Sequence, residues 1–132
     1  HEVLRTEAYP TATAKPVDRV AAAVSYFVHY TRPAEDEATF LSYYCSHHPP
    51  ILGEFPDLRA LVLYLPTPWQ DRHKLTDPDH MLVCQVAFDS LEALNAALAS
   101  DVRKKLRQDY HTFPPFSGPV THYAMLRDQM IP

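Results

Sequence analysis

Glycine is almost missing from this chain: Gly53 and Gly118 are the only two in 132 residues. A phosphate cradle of the P-loop or dinucleotide type needs several glycines in one short run, so nucleotide cofactors are not expected. Cysteine is equally scarce. Cys45 falls in an apolar helical segment and Cys84 in an apolar strand segment, which reads as two reduced, buried thiols and not as a disulfide framework. Positive charge is in deficit, with 12 Lys and Arg against 16 Asp and Glu, and no basic field of the kind a nucleic-acid surface needs. Long apolar runs are missing too. No stretch reaches the roughly 20 residues of a membrane span, and no secretory segment is present, so the expectation is a cytoplasmic protein without a membrane partner.

Proline is what the chain has in excess, 13 of them. Each confines regular structure to the interval between it and the next. Residues 1–19 show no sustained periodicity and read as an extended N-terminal arm, and residues 20–132 read as one domain. A first strand is expected over 20–30, with apolar residues on both faces. The acidic Glu35, Asp36 and Glu37 open a helix that is expected to end at Pro49 and Pro50. A second strand follows over 59–65. A polar loop, 66–80, carries the single tryptophan. Residues 81–88 form a third strand, and Asp89 with Glu92 has the spacing of a capping box. Leu91, Leu94 and Leu98 mark a second helix, with a break near Ser100 before the Val102, Leu106 and Tyr110 repeat. Residues 120–126 form the last strand.

The order strand, helix, strand, strand, helix, strand, with right-handed crossovers, predicts an α+β ferredoxin-like βαββαβ sandwich. Its antiparallel sheet carries helices on one face only. The other face needs cover, and a second copy of the chain in a two-fold homodimer supplies it most simply.

His48 is the leading site candidate. On a helical wheel it sits with Leu41, Tyr44 and Cys45 on one face, with Phe40 at its edge. An imidazole has a pKa near neutrality and can take a proton or hold a carbonyl; a core histidine with both ring nitrogens satisfied is the competing reading. Tyr44, one turn earlier, is the candidate polar wall of a pocket, and Tyr26, Tyr64 and Tyr123 are further hydroxyls for it or ordinary core. His47 lies off the apolar stripe and reads as an exposed helix-end residue. Trp69, Asp71, Arg72 and His73 in the long loop could close over a pocket or touch a partner subunit. His29 and His122 lie on the first and last strands, with no expectation that those strands are neighbours. Arg103, Lys104, Lys105 and Arg107 read as a solvated helix face. No His, Glu or Cys spacing points to a metal site, and none is expected.

The sequence His48-Pro49-Pro50-Ile51, then Phe55-Pro56-Asp57-Leu58, then Ser100-Asp101-Val102-Arg103-Lys104, in this order of elements, resembles the EthD-like group of the dimeric α+β barrel proteins. The later segment and its ending, Tyr110 to Phe113, are similar to the 4-methylmuconolactone methylisomerase group of the same superfamily. The resemblance covers roughly residues 22–127 and implies the ferredoxin-like fold and a homodimer. It places His48 at an active-site histidine of the methylisomerases. Their loop histidine falls near His73 as a loose match, and their active-site tyrosine falls at about Leu61, which has no hydroxyl. The implied function is a cofactor-independent reaction by proton transfer on a small, partly apolar organic molecule such as a lactone, phenol or polyketide-like aromatic. His48 and Tyr44 would be catalytic, with His73, Trp69, Tyr26 and Tyr64 contacting substrate. The alternative is a non-catalytic accessory or small-molecule-binding dimer of the same fold.

Overall fold

The structure, a computed structural model, describes residues 2–8, 24–69 and 79–128. Its strands are β1 (Glu2–Ala8), β2 (Val24–Thr31), β3 (Ala60–Pro68), β4 (His80–Phe88) and β5 (Val120–Leu126); its helices are α1 (Glu37–Leu52), α2 (Leu91–Leu98) and α3 (Asp101–Tyr110). The sheet order is β1-β3-β4-β2-β5, and every neighbouring pair is antiparallel. The last four of these in the order are the ferredoxin-like sandwich. Segment 2–8, part of the expected arm, adds a fifth strand along β3. Residues 20–23 of the expected first strand lie outside the described residues.

Side chains alternate across the sheet, so each strand serves two environments. Tyr26, Val28 and Tyr30 of β2 stand opposite Val86, Cys84 and Leu82 of β4 and face the helices. There they join Phe40, Tyr44 and Leu52 of α1 and Leu94 and Ala97 of α2 in one apolar core. The other face carries Ser25, Phe27 and His29, opposite Ala87, Gln85 and Val83. On it Tyr64 donates to Gln85 Oε1 at 2.6 Å, and Gln85 Nε2 donates to Ser25 Oγ at 2.9 Å.

Helix α1 starts where its acidic opening predicts. Asp36 is the N-cap, and its carboxylate accepts from the Thr39 amide at 3.1 Å. The expectation that the helix stops at the proline pair is corrected, because it runs through Pro49 and Pro50 to Leu52. Both prolines fall in the last turn. There a proline removes a donor, but its fixed φ suits the helix, and the Gly53 amide still closes on the Pro49 carbonyl at 2.9 Å. His48 is therefore a full turn inside the helix, on the Phe40, Tyr44, His48, Leu52 ridge of i, i+4 spacing, all four buried. The chain then reverses at Asp57, which has φ of 58°, a left-handed conformation that Asp tolerates better than most residues.

Two further expectations are corrected. Strand β3 does not close at Leu65. Beyond Tyr64, the last residue of β3 paired to β4, β1 alone flanks it among the described residues, so Pro66 interrupts no second ladder there. Helix α2 is capped by Ser90, whose hydroxyl accepts from the Ala93 amide at 3.1 Å; Asp89 instead holds Arg59 at 2.8 Å, so no capping box forms with Glu92. The adjacency of the first and last strands of the sandwich, which the sequence leaves open, is decided by the fold: β2 and β5 are neighbours, with Val28 opposite His122 and His29 opposite Thr121. His29 and His122 therefore point to opposite faces.

Candidate active site

Between the helices and the sheet lies a cavity of about 400 Å³, lined from β2 by Tyr26, Val28 and Tyr30, from α1 by Tyr44, His48 and Leu52, and from β4 by Cys84 and Val86. Helix α3 contributes Arg103, Leu106, Arg107 and Tyr110, followed by His111, and β5 contributes Val120 and His122.

The chemistry at its wall is a histidine–carboxylate pair. His48 Nδ1 lies 2.8 Å from Asp109 Oδ2, with the two side chains only 8% and 9% exposed. An ionised carboxylate only accepts hydrogen bonds, so the shared proton sits on Nδ1 and the imidazole donates it. Among the described residues Nε2 has no hydrogen-bond partner. Nε2 therefore carries the lone pair of the neutral ring. Burial holds the His48 pKa below the ordinary imidazole value, and the hydrogen bond and charge of Asp109 work in the opposite direction. Phe113 fixes the ring from one side at 5.0 Å between centroids and Tyr44 from the other at 4.9 Å.

Asp109 arrives from α3. Val102 and Leu106 seat that helix on the core, and Lys105 ties it to Glu54 at 2.8 Å. The bend at Ser100, whose hydroxyl donates to the Ala97 carbonyl at 2.6 Å, separates α3 from α2 and lets it run beside α1. Asp109 Oδ1 also accepts from the Tyr43 hydroxyl at 3.0 Å, and that hydroxyl meets Thr112 as well. Both carboxylate oxygens are thus engaged.

Tyr44 is a different kind of group. Its side chain is fully enclosed, and burial pushes its pKa well up; the neighbouring Cys84 thiol, with which it hydrogen-bonds, and Tyr30 push in the same direction. Cys84 itself is pushed up to about 12 by burial. Both groups keep their protons at neutral pH, so neither is a base nor a nucleophile. Burial raises Tyr26 likewise, against the opposing charge of Arg103.

Of the site residues expected from sequence, His48, Tyr44 and Tyr26 meet at the cavity. Tyr64 stands on the other face of the sheet, bonded to Gln85. Trp69 follows β3, is 39% exposed and does not line the cavity. His73, with Asp71 and Arg72, lies outside the described residues. His29 and Tyr123 meet on the far face, 2.6 Å apart, and His29 Nδ1 lies 3.1 Å from Nε2 of His80. Among the described residues no group of three or more His, Cys, Asp and Glu could hold a metal, and no helix is long and apolar enough to cross a membrane.

Asp109 is the residue that sequence reasoning missed. A signal exists: an anionic side chain in the last turn of a helix opposes the macrodipole, and Asp109 follows Leu106 by three residues on the core-facing side. Arg103 and Arg107, which the sequence alone presents as a solvated face, both border the cavity.

Comparison with known proteins places this geometry in a family. The family model of the EthD domain matches residues 32–115. Three crystal structures share the fold. A protein of the EthD (ethyl tert-butyl ether D) family from Bacillus halodurans is 22% identical, with a TM-score of 0.59 over 82% of this chain and 99% of that one. SnoaB, a cofactor-independent oxygenase from Streptomyces nogalater, is 17% identical, with a TM-score of 0.53 over 85% of this chain and 99% of that one. ActVA-Orf6, a monooxygenase of Streptomyces coelicolor in complex with nanaomycin D, is 16% identical, with a TM-score of 0.52 over 89% of this chain and 99% of that one. No curated protein sequence matches the chain.

Proposed function

The chain belongs to the EthD family, and on that premise we propose that it is a cofactor-independent enzyme working by proton transfer. Its substrate is a small, partly apolar organic molecule: a lactone, a phenol or a polyketide-like aromatic. The observation that carries this reading is the buried His48–Asp109 pair, 2.8 Å apart, at the wall of a mostly apolar cavity. Two of the structures that share its fold are a cofactor-independent oxygenase and a monooxygenase, which supports small-molecule chemistry without specifying it.

In this mechanism Nε2 of His48 is the general base. It takes a proton from an acidic C–H or O–H of the bound substrate, whose electron pair stays behind as an enolate or phenolate. The imidazolium so formed is stabilised by Asp109, which keeps its own charge. Return of the proton from Nε2 to a second carbon of the delocalised anion completes an isomerisation, with no net gain or loss of protons. Tyr44 and Phe113 position the imidazole ring, and the apolar wall excludes water from the anion. Two copies of the chain associate across the sheet face opposite the helices, where Tyr123 and Met125 are exposed.

The test combines two readouts on one panel of carbon acids and phenols: 2-tetralone, anthrone, 2-naphthol and a butenolide. Wild-type protein is expected to move the His48 ring signals on binding. It should also speed solvent deuterium exchange into a C–H of at least one compound, with His48→Gln slower by about 10²-fold or more. Binding without exchange would make the chain a small-molecule-binding protein of this fold. A His48 ring indifferent to every compound would end the proposal altogether.

A further inference from the structure

Helix α3 presents two arginines to the cavity. Arg103, Arg107 and His111 follow one another at i, i+4, i+8, so they share one side of the helix, and all three line the cavity. His122 borders the same cavity from β5, and Arg103 is close enough to His122 and Tyr26 for its charge to act on both. None of the described cavity-lining residues is acidic, although the chain as a whole carries a net charge of −4. The basic residues between them behave differently. Lys104 pairs with Asp101 at 3.2 Å and Lys105 with Glu54 at 2.8 Å, whereas among the described residues neither Arg103 nor Arg107 has a carboxylate partner. Two unpaired like charges one turn apart are mildly destabilising in an isolated helix. Here they stand at the mouth of a pocket whose interior is Val28, Leu52, Phe55, Val86, Leu106 and Val120.

We propose that this cavity selects a carboxylate-bearing aromatic or alicyclic acid, with Arg103 and Arg107 receiving the carboxylate at the mouth and the apolar ring system reaching inward to His48. The inference rests on the cavity being the substrate site and adds to that reading the class of substrate. Guanidinium groups suit it because their planar forks match a carboxylate in two parallel hydrogen bonds. A neutral phenol has no such demand, since it keeps its proton at pH 7. The volume and the apolar wall exclude a bare inorganic anion as the natural guest, because such an ion would leave the interior unfilled. A cationic mouth also draws the acid in against the repulsion of the net negative chain. It sets the register too: with the carboxylate anchored on α3, the ring carbons nearest α1 are those presented to Nε2.

The test uses 3-hydroxy-2-naphthoate and its methyl ester, with calorimetric affinity and the His48 ring signals as readouts. In the wild type the acid is expected to bind about tenfold or more tightly than the ester, as befits charge-assisted hydrogen bonds, and the difference should shrink in high salt. In the Arg103→Gln/Arg107→Gln double variant the difference should vanish through loss of acid affinity, while the thermal midpoint does not fall, because both arginines are exposed. Equal affinities in the wild type, with both compounds moving His48, would overturn the inference and leave the proton-transfer reading standing. A preference for the acid that survives the double variant would overturn it too, by placing the anion elsewhere. If neither compound disturbs His48, both readings fall.

Discussion

His48 and Asp109 are 61 positions apart in the chain and 2.8 Å apart in the fold. The carboxylate decides which nitrogen of the imidazole carries the proton and leaves the lone pair on the other. At pH 7.5 the ¹⁵N spectrum of the wild type should show His48 protonated on Nδ1 alone. Asp109→Ala should lose that single tautomer and lower stability by about 1–3 kcal/mol, since it leaves the imidazole N–H and the Tyr43 hydroxyl without their acceptor. Asp109→Asn should be the more stable variant of the two and still catalyse poorly, because an amide can donate to Nδ1 and so favour the wrong tautomer. An unchanged tautomer in both would detach Asp109 from the site.

Acid should weaken the fold before it protonates the carboxylates. Burial lowers the pKa of His48, His29, His80 and His122, so in each case the folded chain favours the neutral ring more than the unfolded chain does. The unfolded state then binds more protons, and stability rises with pH through this window. The histidine contribution is fully present above the unfolded value of about 6.5. It is lost as pH falls from there through the lower folded values. Thermal midpoints at pH 7.5 and 5.5 should differ in that direction, with a smaller difference in His48→Gln. A midpoint flat across that range would contradict the shifts.

Two backbone positions favour glycine for different reasons. Asp57 holds φ of 58°, so Asp57→Gly should stabilise slightly and Asp57→Val should destabilise by about 1–2 kcal/mol. Gly118 lies against the Thr31 carbonyl, and a Cβ there would come within 1.6 Å of that oxygen. Gly118→Ala should therefore force the β2 end and the segment before β5 apart, with a loss of stability larger than that of Asp57→Val. Chemical denaturation of the three variants checks the ranking.

Association through the sheet can be read from mass. Sedimentation of the wild type should give twice the 15.1 kDa of one chain. Met125→Asp, on a strand whose side chains are largely exposed in the single chain, should shift the boundary toward the monomer. A wild-type monomer at micromolar concentration would dismiss the dimer.

Most of the architecture was legible because it is written in local patterns. Alternation marked β2, an apolar run rich in Leu and Val marked β3, a run of acids marked the start of α1, and proline spacing marked the intervals. Where local rules failed, a tertiary circumstance outweighed them. Pro49 and Pro50 stay helical because only the last turn loses its donors, and Pro66 stays in a strand because the neighbour it would disturb has already left.

The site divides along the same line. His48 and Tyr44 could be picked out from sequence, since both sit on the apolar stripe of one helix and that periodicity is local. Asp109 could not be assigned to His48, nor Arg103 and Arg107 to the cavity, because the rotation of α3 about its axis and its position beside α1 are set by core packing. Sequence spacing says which residues share a face, and only the packed structure says what that face meets.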